Sequence, residues 1–373
     1  MRITALTATH LRMPLQAPTL WALGRHSSIP RLLVHLETDE GISGIGETYY
    51  IPDADRLLAA VAEVLATVDP LHTTAVRRRL DTLSGDYDTI VPLGLRAAIE
   101  MACLDAAGKA LGVPVSALLG GAIRSEVEAA AYLFYREAMP DGRGGEDSPE
   151  AIVARAEELV DAHGFRTLKL KGGVHGVEAE RAALRALAAR FPGAPLRWDP
   201  NAAWSVPEAL AAVDGLRRDG TWLEYLEDPV ADLAGLAAVH RRVDVPLATN
   251  MCVVQFEQLA PAIEMRAVDV VLADPHYWGG LVECRRLMAV CEAFRLGVGL
   301  HSDNDLGVST AARLHLAAAS PELSFAIDLH TPEHTDELLL EPIVCRGGVL
   351  RVPTGPGLGI AVDPEAVARL RER

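Results

Sequence analysis

Thr167-Leu168-Lys169-Leu170-Lys171 reads as a short apolar strand that closes on two cations. Side chains on a strand alternate faces, so Lys169 and Lys171 point the same way and Leu170 points opposite. Two lysines side by side in an enclosed space repel each other. Each is then expected to release its proton more easily, which makes one of them a candidate base. A solvated edge strand would give the same Lys-x-Lys pattern, so the surrounding chain has to decide.

From Glu126 onward that run is one of eight. Val127–Leu133, Thr167–Lys171, Leu196–Asp199, Trp222–Glu227, Pro246–Asn250, Val268–Asp274, Val298–His301 and Phe325–Asp328 are strand-like. Helix-like stretches lie between them, among them Pro149–His163, Val177–Phe191, Pro207–Arg218, Leu281–Phe294 and Val308–Ala318. Apolar strands alternating with helices predict a parallel sheet buried on both faces. Eight such units fit a closed α/β barrel better than an open sheet. Seven of the runs end on Lys171, Asp199, Glu227, Asn250, Asp274, His301 and Asp328, spaced 23 to 28 residues apart. In a barrel these ends converge on one mouth, where the active sites of such barrels form. Strands leaving a core often end on a polar residue. That habit explains one or two cases better than seven, all of types suited to acid–base or metal chemistry.

Residues 1–124 lack this rhythm and read as a separate α+β domain. Ile3–Leu11, Arg31–Thr38 and Ile42–Tyr49 are strand-like, with Asp39-Glu40-Gly41 as a hairpin turn. Asp53–Val68, Thr74–Leu83 and Leu93–Leu111 are helix-like. Leu15 to Pro30 carries Trp21, Arg25 and His26 and reads as a long irregular loop, a lid or a mobile connector. The barrel is expected over 125–335, and residues from about 336 to 373 are expected to return to the first domain.

With 373 residues, half of them hydrophobic, the chain can bury a large core. Its 35 basic and 51 acidic residues give a net charge of −16, which argues against nucleic acid or an anionic membrane as partner. Cys103, Cys252, Cys284, Cys291 and Cys345 form no Cys-x-x-Cys pair and read as reduced core thiols. With no secretory segment and no run of 18 apolar residues, a cytoplasmic protein is expected.

Asp199, Glu227 and Asn250 end three successive strands and offer oxygen alone. That suits a hard cation, Mg²⁺ before Mn²⁺, and not zinc. Each residue taken singly would be a cap or a loop anchor; the ordered trio is what suggests a metal. On one side of it stand Lys169 and Lys171, and on the other Asp274 and His301. An Asp against a His orients the ring and makes it a proton carrier. The chemistry that follows is removal of a proton next to a carboxylate by Lys171. His301 then either returns a proton to carbon or protonates a departing β-hydroxyl.

Together with Lys169-Leu170-Lys171-Gly172-Gly173, the stretches Trp198-Asp199-Pro200-Asn201, Glu227-Asp228-Pro229, Ala248-Thr249-Asn250, Ala273-Asp274-Pro275-His276, His301-Ser302 and Asp328-Leu329-His330 resemble the enolase superfamily, in particular its glucarate dehydratase subgroup. The resemblance covers nearly the whole chain. It implies a (β/α)₇β barrel with an α+β capping domain whose loops close the site, Mg²⁺ as cofactor, an acid sugar as substrate and a homo-oligomer. It further implies Lys171 as base, Lys169 as its electrostatic partner, an Asp274–His301 dyad, and substrate contacts at His26, Tyr132, Asn201 and His330. The neutral Asn250 lowers the negative charge around the ion, so an anionic substrate is repelled less. One departure bears on the substrate. The subgroup reads His-Ser-Asn-Asn-His where this chain has His301-Ser302-Asp303-Asn304-Asp305. Both carboxylates are expected at the mouth, with Asp303 in the substrate site, where they would repel the far carboxylate of a diacid. The chain is also shorter than those enzymes.

The reading is therefore an acid-sugar dehydratase giving a 2-keto-3-deoxy acid. The alternative is a racemase or epimerase using the same lysine and histidine. A Schiff-base aldolase built on Lys171 is disfavoured by the oxygen trio, and a binding protein on a decayed scaffold by the intact acid–base set.

Overall fold

The computed structural model describes residues 1–83 and 91–372. The chain begins with three strands, β1 (Ile3–Trp21), β2 (Gly24–Thr38) and β3 (Ser43–Tyr49). Helices α1 (Ala54–Leu65), α2 (Thr73–Leu83), α3 (Leu93–Leu111) and the short α4 (Val115–Leu118) follow. α3 is rich in small residues and lies directly against β3. A Cβ at Gly44 would come within 1.9 Å of Ala102 O, and one at Gly46 equally close to Ala98 O. These glycines let helix and strand backbones touch. Leu32, Val34, Leu36, Leu58, Val61 and Ile99 form a core of their own here.

β4 (Glu126–Leu133) opens the second body, and the two-residue β5 (Tyr135–Arg136) follows it. Next come α5 (Pro149–His163), β6 (Thr167–Lys171), α6 (Val177–Arg190), β7 (Leu196–Asp199), α7 (Val206–Asp219) and β8 (Tyr225–Glu227). After them come α8 (Leu233–His240), β9 (Leu247–Thr249), α9 (Phe256–Met265), β10 (Val270–Ala273), α10 (Pro275–Trp278), α11 (Leu281–Phe294), β11 (Gly297–Leu300), α12 (Gly307–Ala318) and β12 (Ile327–Leu329). Local chemistry marks several helix ends. Ser205 and Glu208 form a capping box at the start of α7, Ser148 caps α5, and Gly164 and Gly220 end α5 and α7 in the left-handed region.

The strands pair in the order β11-β10-β9-β8-β7-β6-β4-β12, with parallel neighbours throughout. A parallel bridge between Val298 and Leu323, with Ser324 N donating to Val298 O at 2.9 Å, closes the ring just ahead of β12. The result is a TIM-like barrel under an antiparallel α+β cap. Several strands are shorter than their apolar runs suggest. Trp222 is exposed and precedes β8, and Asn250, Asp274 and His301 each lie one residue beyond a strand. β13 (Val349–Arg351) pairs antiparallel with β4, and beyond it the chain ends in α13 (Pro364–Leu370). This last segment also reaches the cap, where Val115 N donates to Gly357 O at 2.8 Å and Glu372 N to His10 O at 3.0 Å.

The stretch from Leu15 to Pro30 is not an irregular loop. It is the far half of a long β1–β2 hairpin that turns at Ala22 and Leu23. The register shifts between Pro14 and Thr19, and at the tip Leu20 pairs with Tyr135 and Thr19 with Arg136 of β5. Pro14 and Pro18 look like breaks in a sequence, but prolines are tolerated at such irregularities. The tip is thereby hydrogen-bonded to the barrel side and projects over its mouth.

Candidate active site

Apolar residues drive each strand into the barrel core, and its terminal polar residue surfaces at the mouth. β6 brings Lys169 and Lys171, β7 Asp199 and β8 Glu227; all four are buried, as is Asn250 after β9. Lys171 Nζ donates to Asp199 Oδ2 at 2.6 Å. Lys169 Nζ lies 2.6 Å from Glu227 Oε2 and donates to Asp328 Oδ2 at 2.7 Å. The Tyr132 hydroxyl donates to Asp199 Oδ2 at 3.2 Å, and Tyr132 also packs its ring under Lys169. Asn250 Nδ2 donates to Glu227 Oε1 at 2.5 Å, and Asp228 holds the Asn250 backbone N at 2.8 Å.

For Lys169 this arrangement corrects the expectation that the proton is lost more easily. Burial alone would lower the Lys169 pKa, but Asp328 and Glu227 outweigh it and hold the value well above the usual lysine range. Lys169 is thus a fixed cation. Asp328 is one of the seven polar strand ends, but its pairing with Lys169 spans 159 residues and is invisible to spacing.

Across the mouth, His301 Nδ1 meets Asp274 Oδ2 at 2.9 Å, which leaves Nε2 for a ligand. The second Asp274 oxygen accepts from the His276 backbone N at 2.8 Å, and Tyr277 stacks on the His301 ring at 5.7 Å. His330 lies 4.3 Å from the Tyr132 ring, centroid to centroid. Burial first, and His301 second, hold the His330 pKa well below the ordinary histidine value, so it stays neutral, with Nδ1 buried and unpartnered.

Lys171, His301, Tyr132, Asn201, Asn250 and His330 line one cavity of about 430 Å³, a size that suits a small metabolite. The hairpin tip adds Trp21, Leu23 and His26, and the loop after β11 adds Asp303 and Asn304. Of the two carboxylates expected at the mouth, Asp303 is there, and its side chain bonds with Tyr277. Asp305 is not. It is 1 % exposed and committed to Arg31 and Arg313, and His276 Nε2 lies 3.2 Å from it. Burial would raise its pKa, but the hydrogen bond with His276, followed by the charges of Arg313 and Arg31, overcomes this and holds it far below the usual range.

Glu180 is absent from the sequence-based candidates because nothing in the composition of α6 sets it apart. It accepts from the backbone N–H of Gly173, Val174 and His175 and from Trp198 Nε1, and so shapes the turn that follows Lys171. Gly173 has φ +76°, and a Cβ there would meet Pro200 O at 2.4 Å.

The donor set fits a hard divalent cation. Burial first, and Asp199 second, push the Glu227 pKa well above its ordinary value, the mark of a buried carboxylate pair that a cation relieves. Asn250 spends its Nδ2 on Glu227, leaving its oxygen as the atom that would meet an ion. Among the described residues no three His, Cys, Asp or Glu side chains are grouped to hold a metal.

Residues 3–120 match the mandelate racemase / muconate lactonizing enzyme N-terminal domain, and residues 151–366 the enolase C-terminal domain-like family. The chain belongs to the enolase superfamily. A probable glucarate dehydratase of Streptomyces coelicolor is 42 % identical over 400 residues, covering 100 % of this chain and 92 % of the relative. Muconate cycloisomerase 1 of Rhodococcus opacus is 30 % identical, covering 98 % and 97 %. An enolase from Mycobacterium smegmatis, crystallised with tartrate, superposes with a TM-score of 0.93 at 41 % identity over 99 % of this chain and 91 % of that one. One from Thermobispora bispora, crystallised with magnesium and formate, gives 0.91 at 40 % identity over 99 % and 92 %. Among the described residues no helix is long and apolar enough to cross a membrane, and all five cysteines are buried and free.

Proposed function

We propose that this enolase-superfamily chain is a magnesium-dependent acid-sugar dehydratase. Asp199, Glu227 and Asn250 would hold Mg²⁺, the ion named for the Thermobispora relative. When bound, such an ion would polarise the substrate carboxylate. Lys171, acting as the free amine, takes the proton on the carbon next to that carboxylate. Lys169, a fixed cation, lies beside the negative charge that develops. His301, oriented by Asp274, gives its proton to the β-hydroxyl, which leaves as water. The resulting enol rearranges to a 2-keto-3-deoxy acid.

The observation that carries this reading is a cavity lined by both an amine and a carboxylate-oriented imidazole, Lys171 and His301. The 42 % identity to a probable glucarate dehydratase favours elimination over ring closure. A homo-oligomer is part of the proposal by kinship alone. The test is a library of acid sugars incubated with enzyme and Mg²⁺ in D₂O, followed by NMR, with Lys171→Ala as control. Formation of 2-keto-3-deoxy product by the wild type alone is expected. Deuterium incorporated at carbon without a keto product would replace dehydration by epimerisation.

A further inference from the structure

The cavity has two unlike ends. At the strand ends stand Lys171 and the carboxylates below it. At the other end, the hairpin tip faces the loop after β11, and there the polar side chains include Thr19, His26, Ser302, Asp303 and Asn304. Among the described residues no lysine or arginine is available at that end to a second carboxylate. Lys171 is the one lysine or arginine among the described residues lining the cavity, and Asp199 already engages it. Arg25, next to His26 in the hairpin, is bound at both ends of its guanidinium by Glu137, at 2.8 and 2.9 Å. Arg31 is 1 % exposed and spent on Glu47, Asp305 and the carbonyl of Asp303. His26, stacked on Trp21 at 5.3 Å, is kept neutral by burial in spite of Asp303 nearby.

The groups that remain suit hydroxyls. A carboxylate accepts O–H bonds on both oxygens, and Asn and neutral His both give and accept. Asp303 spends one such bond on Tyr277 and has capacity for more. We propose, building on the dehydratase reading, that Asp303 is a specificity-determining residue. It selects sugar acids with one carboxylate whose remote end is an uncharged hydroxymethyl or polyol group, and it rejects diacids. This departs from what the likeness to a probable glucarate dehydratase would suggest.

Pairs of acids that differ only at the remote carbon test this, such as gluconate with glucarate and galactonate with galactarate. Turnover and calorimetric binding with Mg²⁺ are measured for each member, the binding also on Lys171→Ala so that it does not depend on chemistry. The mono-acid is expected to bind and react better in at least one pair. Asp303→Asn should shrink the mono-acid to diacid ratio on the order of tenfold, the effect of like charges roughly 6–8 Å apart in a partly hydrated site. Equal or better binding of diacids by the wild type overturns the proposal and leaves dehydration standing. So does an unchanged ratio in Asp303→Asn. Preferential binding of mono-acids without formation of a keto product supports Asp303 as selector while removing the dehydratase reading.

Discussion

Replacing Asp305 by asparagine probes the joint between cap and barrel. Arg31 comes from β2 of the cap, while Asp305 and Arg313 come from the barrel side. All three are at most 1 % exposed, as is Glu47, which also binds Arg31. The amide would keep the shape and remove one of the two carboxylates that balance two buried guanidinium groups. Breaking a buried pair on one side costs about 3–5 kcal/mol, because the remaining charge stays desolvated. With an unfolding entropy of about 2.1 cal/mol/K per residue, 373 residues give about 0.8 kcal/mol/K. The melting midpoint should therefore fall by about 4–6 °C in scanning calorimetry. Arg31→Met should cost a similar amount, and the double variant less than the sum by roughly 1–3 kcal/mol, since both remove the same pair. A midpoint within about 1 °C of wild type, or strictly additive losses, would refute the assignment of this joint to buried charge.

Three further outcomes are expected. His334 is pushed down to about 4, by burial first and Arg31 second. A depressed histidine contributes stability above its unfolded value near 6.5 and loses it as pH falls toward 4, by roughly 3 kcal/mol in all; His334→Gln should flatten that part of a denaturation-versus-pH curve. Gly173→Ala, forced to φ +76° against Pro200 O, should lower stability by about 1–3 kcal/mol and kcat by roughly tenfold or more through displacement of Lys171, read by melting and by turnover. Chelation by EDTA should abolish activity reversibly, and Asn250→Ala should weaken Mg²⁺ binding by about tenfold or more in calorimetry; full activity in EDTA would remove the metal from the proposal.

The barrel is legible in the sequence because each strand is a short apolar run punctuated by one polar residue, and both features are local. For the same reason Lys171, Asp199, Glu227, Asn250 and His301 stand out as candidates without any geometry. What stays hidden depends on partners distant in the chain. The charge state of Lys169 is set by carboxylates from β8 and β12. The burial of Asp305 is set by Arg31, 274 residues away, so in the sequence its negative charge looks free. The hairpin is masked by Pro14 and Pro18, whose breaking tendency yields to pairing on both sides of β1. Glu180 acts through backbone amides, which leave no trace in residue type.

The stitched hairpin has a consequence for engineering. Its root is fixed by pairing with β2 and its tip by pairing with β5, so the residues from Thr19 to His26 form a cassette that could be exchanged with those of relatives while the catalytic floor is left alone. Such grafts should keep its length, because a single inserted residue would turn Trp21 or His26 to the opposite face.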